Sequence, residues 1–289
     1  MGSSIVQITP MALIKRVWER IAPLQLADKS WDNVGPMIEA PYPNPSHRQV
    51  LLTIDLTPSV AAEALSLPSL ALVVSYHPPI FRGLKSLTLN DPLQSSLLKL
   101  SAKGISVFSP HTSLDATPNG INTWLVKPFL PFSKSDSPIT KSDSNIEGFE
   151  NAGMGRIVDL KIPLDVRQVI KMVKDHLELD HVQLATPDLE RPINSIAVCA
   201  GSGASLFKGV KADLYLTGEM SHHEVLAAIH SGTSVILTNH TNTERPYLSS
   251  VLRPWLEKEL NDEYSHDGDN LNNWEVLVSK ADKDPLRVI

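Results

Sequence analysis

Val50-Leu51-Leu52-Thr53-Ile54-Asp55-Leu56-Thr57-Pro58 and, a helix-length interval later, Leu70-Ala71-Leu72-Val73-Val74-Ser75-Tyr76-His77-Pro78-Pro79 set the architecture of this chain. Val50 to Leu56 and Leu70 to Val74 are apolar runs of strand length, and Pro58 opens a helix between them. Outward from this unit the alternation continues. Asp91-Pro92 starts a helix through Leu100, Ile105 to Phe108 is a strand, and a helix follows Pro118 and Gly120. Upstream, Thr9-Pro10 reads as the cap and first residue of a helix whose stripe is Leu13, Ile14, Val17, Trp18 and Ile21. Strands alternating with helices predict an α/β fold with a largely parallel or mixed sheet.

Residues 131–150 interrupt the pattern with Ser-Lys-Ser-Asp-Ser and again Lys-Ser-Asp-Ser, polar and without periodicity. They read as a linker or exposed loop. This predicts an N-terminal α/β half over 1–130 and a C-terminal half over 151–289. In the second half Arg156 to Ile162, Val182 to Ala185, Ile193 to Ala200, Asp213 to Thr217, Ser234 to Thr238 and Trp274 to Val278 read as strands. Helices are predicted from Leu164 to Leu177, after Gly218 to Ile229, and from Thr243 to Leu260. Sequence leaves open whether the final segments return to the first half.

Composition narrows the function. Of the 289 residues, 42% are hydrophobic and 20% charged, enough apolar material for a real core. No apolar run reaches the roughly 20 residues of a membrane helix. A net charge of −6 and the absence of a Lys/Arg block argue against direct nucleic-acid binding. One cysteine excludes an internal disulfide, and Cys199 lies inside an apolar strand, where it reads as a buried small hydrophobe. The first residues lack a signal-peptide pattern, so the cytoplasm is the expected compartment, with a mitochondrial pool left open.

Four predicted strands end in polar turns that hold five of the ten histidines. The turns are Ser75-Tyr76-His77-Pro78-Pro79, His111-Thr112-Ser113-Leu114-Asp115, Gly218-Glu219-Met220-Ser221-His222-His223 and Asn239-His240-Thr241-Asn242-Thr243-Glu244. In open α/β sheets ligands bind beyond the carboxyl ends of strands, where these turns fall. Two prolines stiffen the backbone after His77. His111 and Asp115, like His240 and Glu244, are four residues apart, which puts imidazole and carboxylate on one side of a helical turn. That donor set suits Zn²⁺, Mn²⁺, Fe²⁺ or Co²⁺. Spacing alone leaves metal ligands and ordinary solvated turn residues as equal readings.

Other motifs are weaker. Gly201-Ser202-Gly203-Ala204-Ser205 is read as opening a helix, either as an anion cradle or as a tight packing turn. Ser221 looks like a helix cap, which puts His222 and His223 on a polar helix surface or at a subunit contact. The chain has no Walker motif and no Gly-x-Ser-x-Gly elbow.

Together these motifs resemble the NGG-one-interacting-factor-three-like (NIF3-like) family, whose bacterial members are often labelled GTP cyclohydrolase I type 2. The resemblance runs through Ser30-Trp31-Asp32-Asn33-Val34-Gly35, Tyr76-His77-Pro78-Pro79-Ile80-Phe81, His111-Thr112-Ser113-Leu114-Asp115, Gly120-Ile121-Asn122, Gly153-Met154-Gly155-Arg156, Cys199-Ala200-Gly201-Ser202-Gly203, Thr217-Gly218-Glu219-Met220 and His240-Thr241-Asn242-Thr243-Glu244-Arg245. It implies two interlinked α/β domains, a homohexameric ring and a di-metal site. His77, Asp115, His240 and Glu244 would be the ligands, with His111 and Glu219 orienting them or carrying protons. Tyr76 replaces the first histidine of the family's His-His pair, and a neutral phenol is a poor ligand. The implied function is metal-dependent hydrolysis of a nucleotide or phosphoester-like substrate. The alternative is a non-catalytic metal-binding protein that partners a transcription factor.

Overall fold

A computed structural model of the chain describes residues 8–266 and 273–288. Residues 1–7, on which part of the compartment reading rests, lie outside them. The chain divides into two compact units, each made of separated segments. The first holds residues 1–113 and 248–283, the second residues 114–247 and 284–289.

The first unit is built on a five-stranded sheet in the order Gly35–Ile38, Ser106–Ser109, Leu70–Ser75, Gln49–Thr53, Glu275–Val278. Its central strands run parallel, as does Glu275–Val278 beside Gln49–Thr53, and Gly35–Ile38 is the antiparallel edge. Every residue of Leu70–Ser75 and Ser106–Ser109 is buried, the signature of strands covered on both faces. Helices Pro10–Ile21, Pro58–Ser66 and Pro92–Ala102 all start alike. Thr9, Thr57 and Asp91 cap them through their side chains, and proline takes the first position, where its missing N–H costs nothing. Pro10–Ile21 buries Met11, Leu13, Ile14, Val17, Trp18 and Ile21. A second cluster joins Leu51, Val73 and Val107 of the sheet to Val60, Ala64, Leu97 and Leu100 of the other two helices.

The second unit has a six-stranded mixed sheet, ordered Ser133–Ser137, Arg156–Leu164, Ile193–Ser202, Leu214–Glu219, Ser234–Leu237, Gln183–Ala185. Ile193–Ser202, Leu214–Glu219 and Ser234–Leu237 are parallel to one another, and the flanking pairs are antiparallel. Helix Val166–Leu177 starts at Asp165 with a capping box closed by Gln168.

The structure departs from the sequence reading in several places. The Ser-rich stretch is not structureless. Ser133–Ser137 pairs with Arg156–Leu164, Thr140–Lys141 pairs with Gly153–Met154, and Asp136 accepts hydrogen bonds from the buried Arg156 guanidinium. An exposed edge strand buries too little to need apolar alternation, so its sequence looks like a loop. Sequence left open where the final segments go, and Leu248–Lys283 belongs to the first unit. Finally, the helix expected from Thr243 to Leu260 starts at Arg245, after the 3₁₀ turn Thr241–Thr243, and runs through a π stretch, Leu248–Leu252, into Arg253–His266, with Pro254 just past that stretch unable to donate to an α-helical ladder.

Candidate metal centre

In the first unit the carboxyl ends of three parallel strands carry Asp55, Tyr76-His77 and His111. The backbone locks these turns together. Tyr76 N–H donates to Thr53 (2.9 Å), His77 N–H to Ile54 (3.0 Å) and His111 N–H to Tyr76 (3.2 Å). The Ser109 hydroxyl adds a bond to the Tyr76 carbonyl and the Ser75 hydroxyl one to that of His77. His111 adopts φ +34°, a region uncommon for residues other than glycine. What stabilises it is Asp32. This carboxylate lies 2.7 Å from His111 Nδ1 and accepts from the Thr112 amide and hydroxyl at 3.1 and 2.5 Å. Burial alone would push the Asp32 carboxyl up, but the His111 and Thr112 hydrogen bonds and the imidazole charge hold it below the usual carboxylate range. His77 has the same arrangement, with Nδ1 2.9 Å from Asp55 Oδ1. The rings of Tyr76, His77 and His111 pack on one another at centroid distances of 4.9 to 5.3 Å. Tyr76, at 2% exposure, is a buried wall of this cluster.

The second unit builds its strand ends differently. Ile193–Ser202, Leu214–Glu219 and Ser234–Leu237 deliver Gly201, Gly218-Glu219 and Asn239-His240 to one edge. Asn239 turns the chain with φ +68°, a left-handed conformation that asparagine tolerates. Gly218 has no room for a side chain, since a Cβ there would meet Gly201 O at 2.6 Å and His240 Cα at 2.7 Å. Gly201, at φ +62°, is the floor of the site. A Cβ on it would lie 2.7 Å from His240 Nε2 and 2.9 Å from Glu244 Oε1. Thr243 secures the turn by accepting from Gly201 N–H (2.8 Å) and donating to the His240 carbonyl (2.7 Å). The short 3₁₀ turn Thr241–Thr243 brings His240 Nε2 within 3.6 Å of Glu244 Oε1. On the other side of the ring, Nδ1 lies 2.8 Å from Glu219. Asn122 joins Asp115 to this edge, donating to the Asp115 carbonyl and accepting from Ala200 N–H.

The electrostatics fit a cation. Glu244 is 1% exposed, and its charge and that of Asp115 both reach Cys199, raising a thiol that burial already pushes far up. Burial and then the Asp115 charge likewise raise the Tyr247 hydroxyl. A carboxylate buried as Glu244 is favours positive charge close by, and His240 Nε2 lies 3.6 Å from it. An imidazole whose Nδ1 is engaged by a carboxylate is oriented with Nε2 as its ligand nitrogen, the usual outer arrangement of metal-binding histidines. His77 and His240 both show it.

The expected site residues therefore fall into two groups. His77, His111 and Tyr76 share the strand-end cluster of the first unit. His240, Glu244 and Glu219 are in direct contact in the second, with Asp115 tied to the same edge. His240 and Glu244 together could hold a metal ion. His222 and His223 are exposed on the first turn of a helix capped by Ser221 and Glu224. Residues Gly201 to Ser205 do not open a helix, because turns follow them. Without a helix N-terminus the anion-cradle reading loses its basis, and Gly201 and Gly203 serve close packing. Asp55 and Asp32 were not expected as ring-orienting carboxylates. The signal for Asp55 was its position just past the strand Gln49–Thr53, where site residues of parallel sheets collect.

Residues 11–285 match the model of the Duf34/NIF3 (NGG1p interacting factor 3) family. The chain belongs to this family. The Schizosaccharomyces pombe protein named "Protein NIF3 homolog" is 45% identical over 251 residues, covering 86% of this chain and 88% of that one. The Saccharomyces cerevisiae "NGG1-interacting factor 3" is 40% identical and covers 83% and 81%. The NIF3-family fold is also seen in a Bacillus cereus protein related to NIF3, with a TM-score of 0.79 at 17% identity across 98% of this chain and all of that one. No helix among the described residues is long and apolar enough to cross a membrane.

Proposed function

We propose that this NIF3-family member binds divalent metal through His77, Asp115, His240 and Glu244, and uses it to hydrolyse a nucleotide or phosphoester-like substrate. The observation that carries the reading is the paired construction of the strand ends. Asp55 orients His77, Glu219 orients His240, and Glu244 is buried against the glycine floor beside His240. Zn²⁺, Mn²⁺, Fe²⁺ and Co²⁺ all suit this donor set. A bound ion of this kind supplies Lewis acidity and a water acidified toward neutral pH. In this reading Asp115 and Glu244 would supply the carboxylate oxygens that hold the metal. Asp55 and Glu219 keep the imidazoles in the ligating tautomer, and the Asp32–His111 pair carries protons at Nδ1.

A second reading is a metal-stabilised interaction protein. It is favoured by the name of the yeast relative, an interacting factor, and by Tyr76, buried where a further imidazole would be a better ligand. A homohexameric ring belongs to either version and would appear as six times the chain mass in sedimentation.

Elemental analysis of the purified protein, with turnover measured on nucleotide and phosphoester panels, tests the proposal. Bound metal that disappears in Glu244→Ala, together with metal-dependent turnover, is the expected result. Metal-replete protein that turns over nothing on any panel would leave the interaction reading. A wild-type chain that retains no divalent metal sinks both. Tyr76→His is expected to raise the metal count per chain.

A further inference from the structure

Trp31 and Phe81 are large aromatic side chains left 52% and 46% exposed, with ring centroids 6.0 Å apart at 48°. Neither is a loose surface residue. The Trp31 indole N–H donates to Asp28 (2.8 Å), and that carboxylate is itself held by the Ser30 amide and hydroxyl at 2.9 and 2.6 Å. Asp28 N–H is fixed to Thr112, and Asp32, next to Trp31, is bonded to His111 and Thr112. Asn33 then ties this loop to the Phe81 loop by donating to the Ile80 carbonyl at 2.5 Å. The bond to Asp28 satisfies the indole's one polar atom and leaves about half of the side chain open to water. Exposing that much rigid aromatic surface is costly unless something covers it.

The location says what covers it. Trp31 lies 5.7 Å from the His111 ring, which is 5.3 Å from the ring of His77. A planar ring on the indole would therefore sit one substituent away from the imidazole edge. Arg82 and Lys85, exposed in the loop that carries Phe81, add positive charge of the kind an anionic substituent needs.

We propose that Trp31 and Phe81 form a stacking platform for the base of a nucleoside monophosphate, whose phosphate points to the His77–His111 edge. This rests on the hydrolase reading and names its substrate class as an aromatic base bearing a phosphoester. Trp31 supplies the stacking face, Phe81 closes the cleft at an angle, and the Asp28, Asp32 and Asn33 hydrogen bonds hold the walls in place before the ligand arrives.

The test is calorimetric titration of the full-length protein, freed of metal by chelation, with adenosine 5′-monophosphate, adenosine and ribose 5-phosphate. Binding of adenosine 5′-monophosphate and of adenosine is expected, weakened about tenfold or more in Trp31→Ala and least in Trp31→Phe, the range of a base-stacking contact. Phe81→Ala should lie between the two. Ribose 5-phosphate should bind wild type more weakly than adenosine 5′-monophosphate does, and should not distinguish wild type from Trp31→Ala. Melting curves of the variants confirm that they fold, as their exposure implies. Equal affinity of wild type and Trp31→Ala for adenosine 5′-monophosphate overturns the proposal, as does equal affinity of wild type for the nucleotide and the sugar phosphate, or no binding of any of the three. A changed sedimenting mass for Trp31→Ala with unchanged nucleotide affinity also overturns it, assigning the face to a second copy of the chain. Because the protein is metal-free, failure of the metal centre leaves this result standing. Metal retained with no Trp31 effect sinks the platform alone.

Discussion

The strand ends of the first unit and those of the second solve one problem with opposite materials. Both present imidazoles past the carboxyl ends of parallel strands, and both orient a ring through a carboxylate at Nδ1. The first unit holds its imidazoles with bulk, packing Tyr76, His77 and His111 ring on ring and forcing His111 into a left-handed turn. The second holds His240 with emptiness, since Gly201 and Gly218 withdraw their side chains so that the His240–Glu244 turn can settle onto the sheet. Their charge differs too. The ionised Asp32 in the first unit is held by three hydrogen bonds, whereas the charges of Asp115 and Glu244 in the second add to burial in raising the Cys199 thiol. The aromatic edge is thus held by ring packing, whereas the glycine-floored edge leaves room for His240 and Glu244, residues that could hold a metal ion, to close onto the sheet.

Four changes would break or sharpen that contrast. Glu244→Gln should have the largest effect, removing the buried charge of the second unit. Bound metal is expected to fall below detection by elemental analysis. The stabilisation that metal adds to the wild type, about 3 kcal/mol at a hundredfold excess over its Kd, should vanish from melting curves run with and without chelator. A variant that still gains stability from metal would show that Glu244 is no ligand. Gly201→Ala comes next. A left-handed position and a Cβ 2.7 Å from His240 Nε2 should cost about 1–3 kcal/mol of stability and also displace the ligand. Thermal melting and metal content should fall together, and unchanged metal affinity would mean the floor is not part of the site.

The first unit should respond to acid instead. The Asp32 carboxyl titrates lower in the folded chain than in the unfolded one, so the stability it adds is fully present above the unfolded value, near pH 4. It is lost as pH falls through the lower, folded value. Asp32→Asn should therefore lower stability at neutral pH by about 1–3 kcal/mol, and the gap from wild type should shrink as denaturation is repeated toward pH 3. A gap independent of pH would mean the ionised carboxylate is not what stabilises the His111 turn. The smallest effect belongs to His222→Ala combined with His223→Ala. These exposed residues should leave metal content and melting unchanged, and a drop in either would bring the third polar turn into the site.

Much of this was legible in one dimension. Thr9-Pro10, Thr57-Pro58 and Asp91-Pro92 mark helix starts because capping and proline placement are local effects. The apolar runs mark strands, and the polar turns after them identify the strand ends where His77, Asp115, His240 and Glu244 lie. Pairing and close approach were not legible. Ser133–Ser137 is a strand only because Arg156–Leu164 pairs with it and Arg156 reaches Asp136. Leu248–Lys283 returns to the first unit because Glu275–Val278 finds its partner in Gln49–Thr53, more than two hundred residues earlier. Asp55 and Asp32 become ring-orienting groups only once sheet register places them against His77 and His111.

Sequence by itself thus determined the α/β class, the helix starts and which turns carry imidazoles and carboxylates, since each depends on neighbours within a few residues. Tertiary structure alone decided which carboxylate faces which imidazole, where the glycines leave room, and that the Trp31 face stays open to solvent. Those properties arise from contacts between residues far apart in the chain, and no local pattern encodes them.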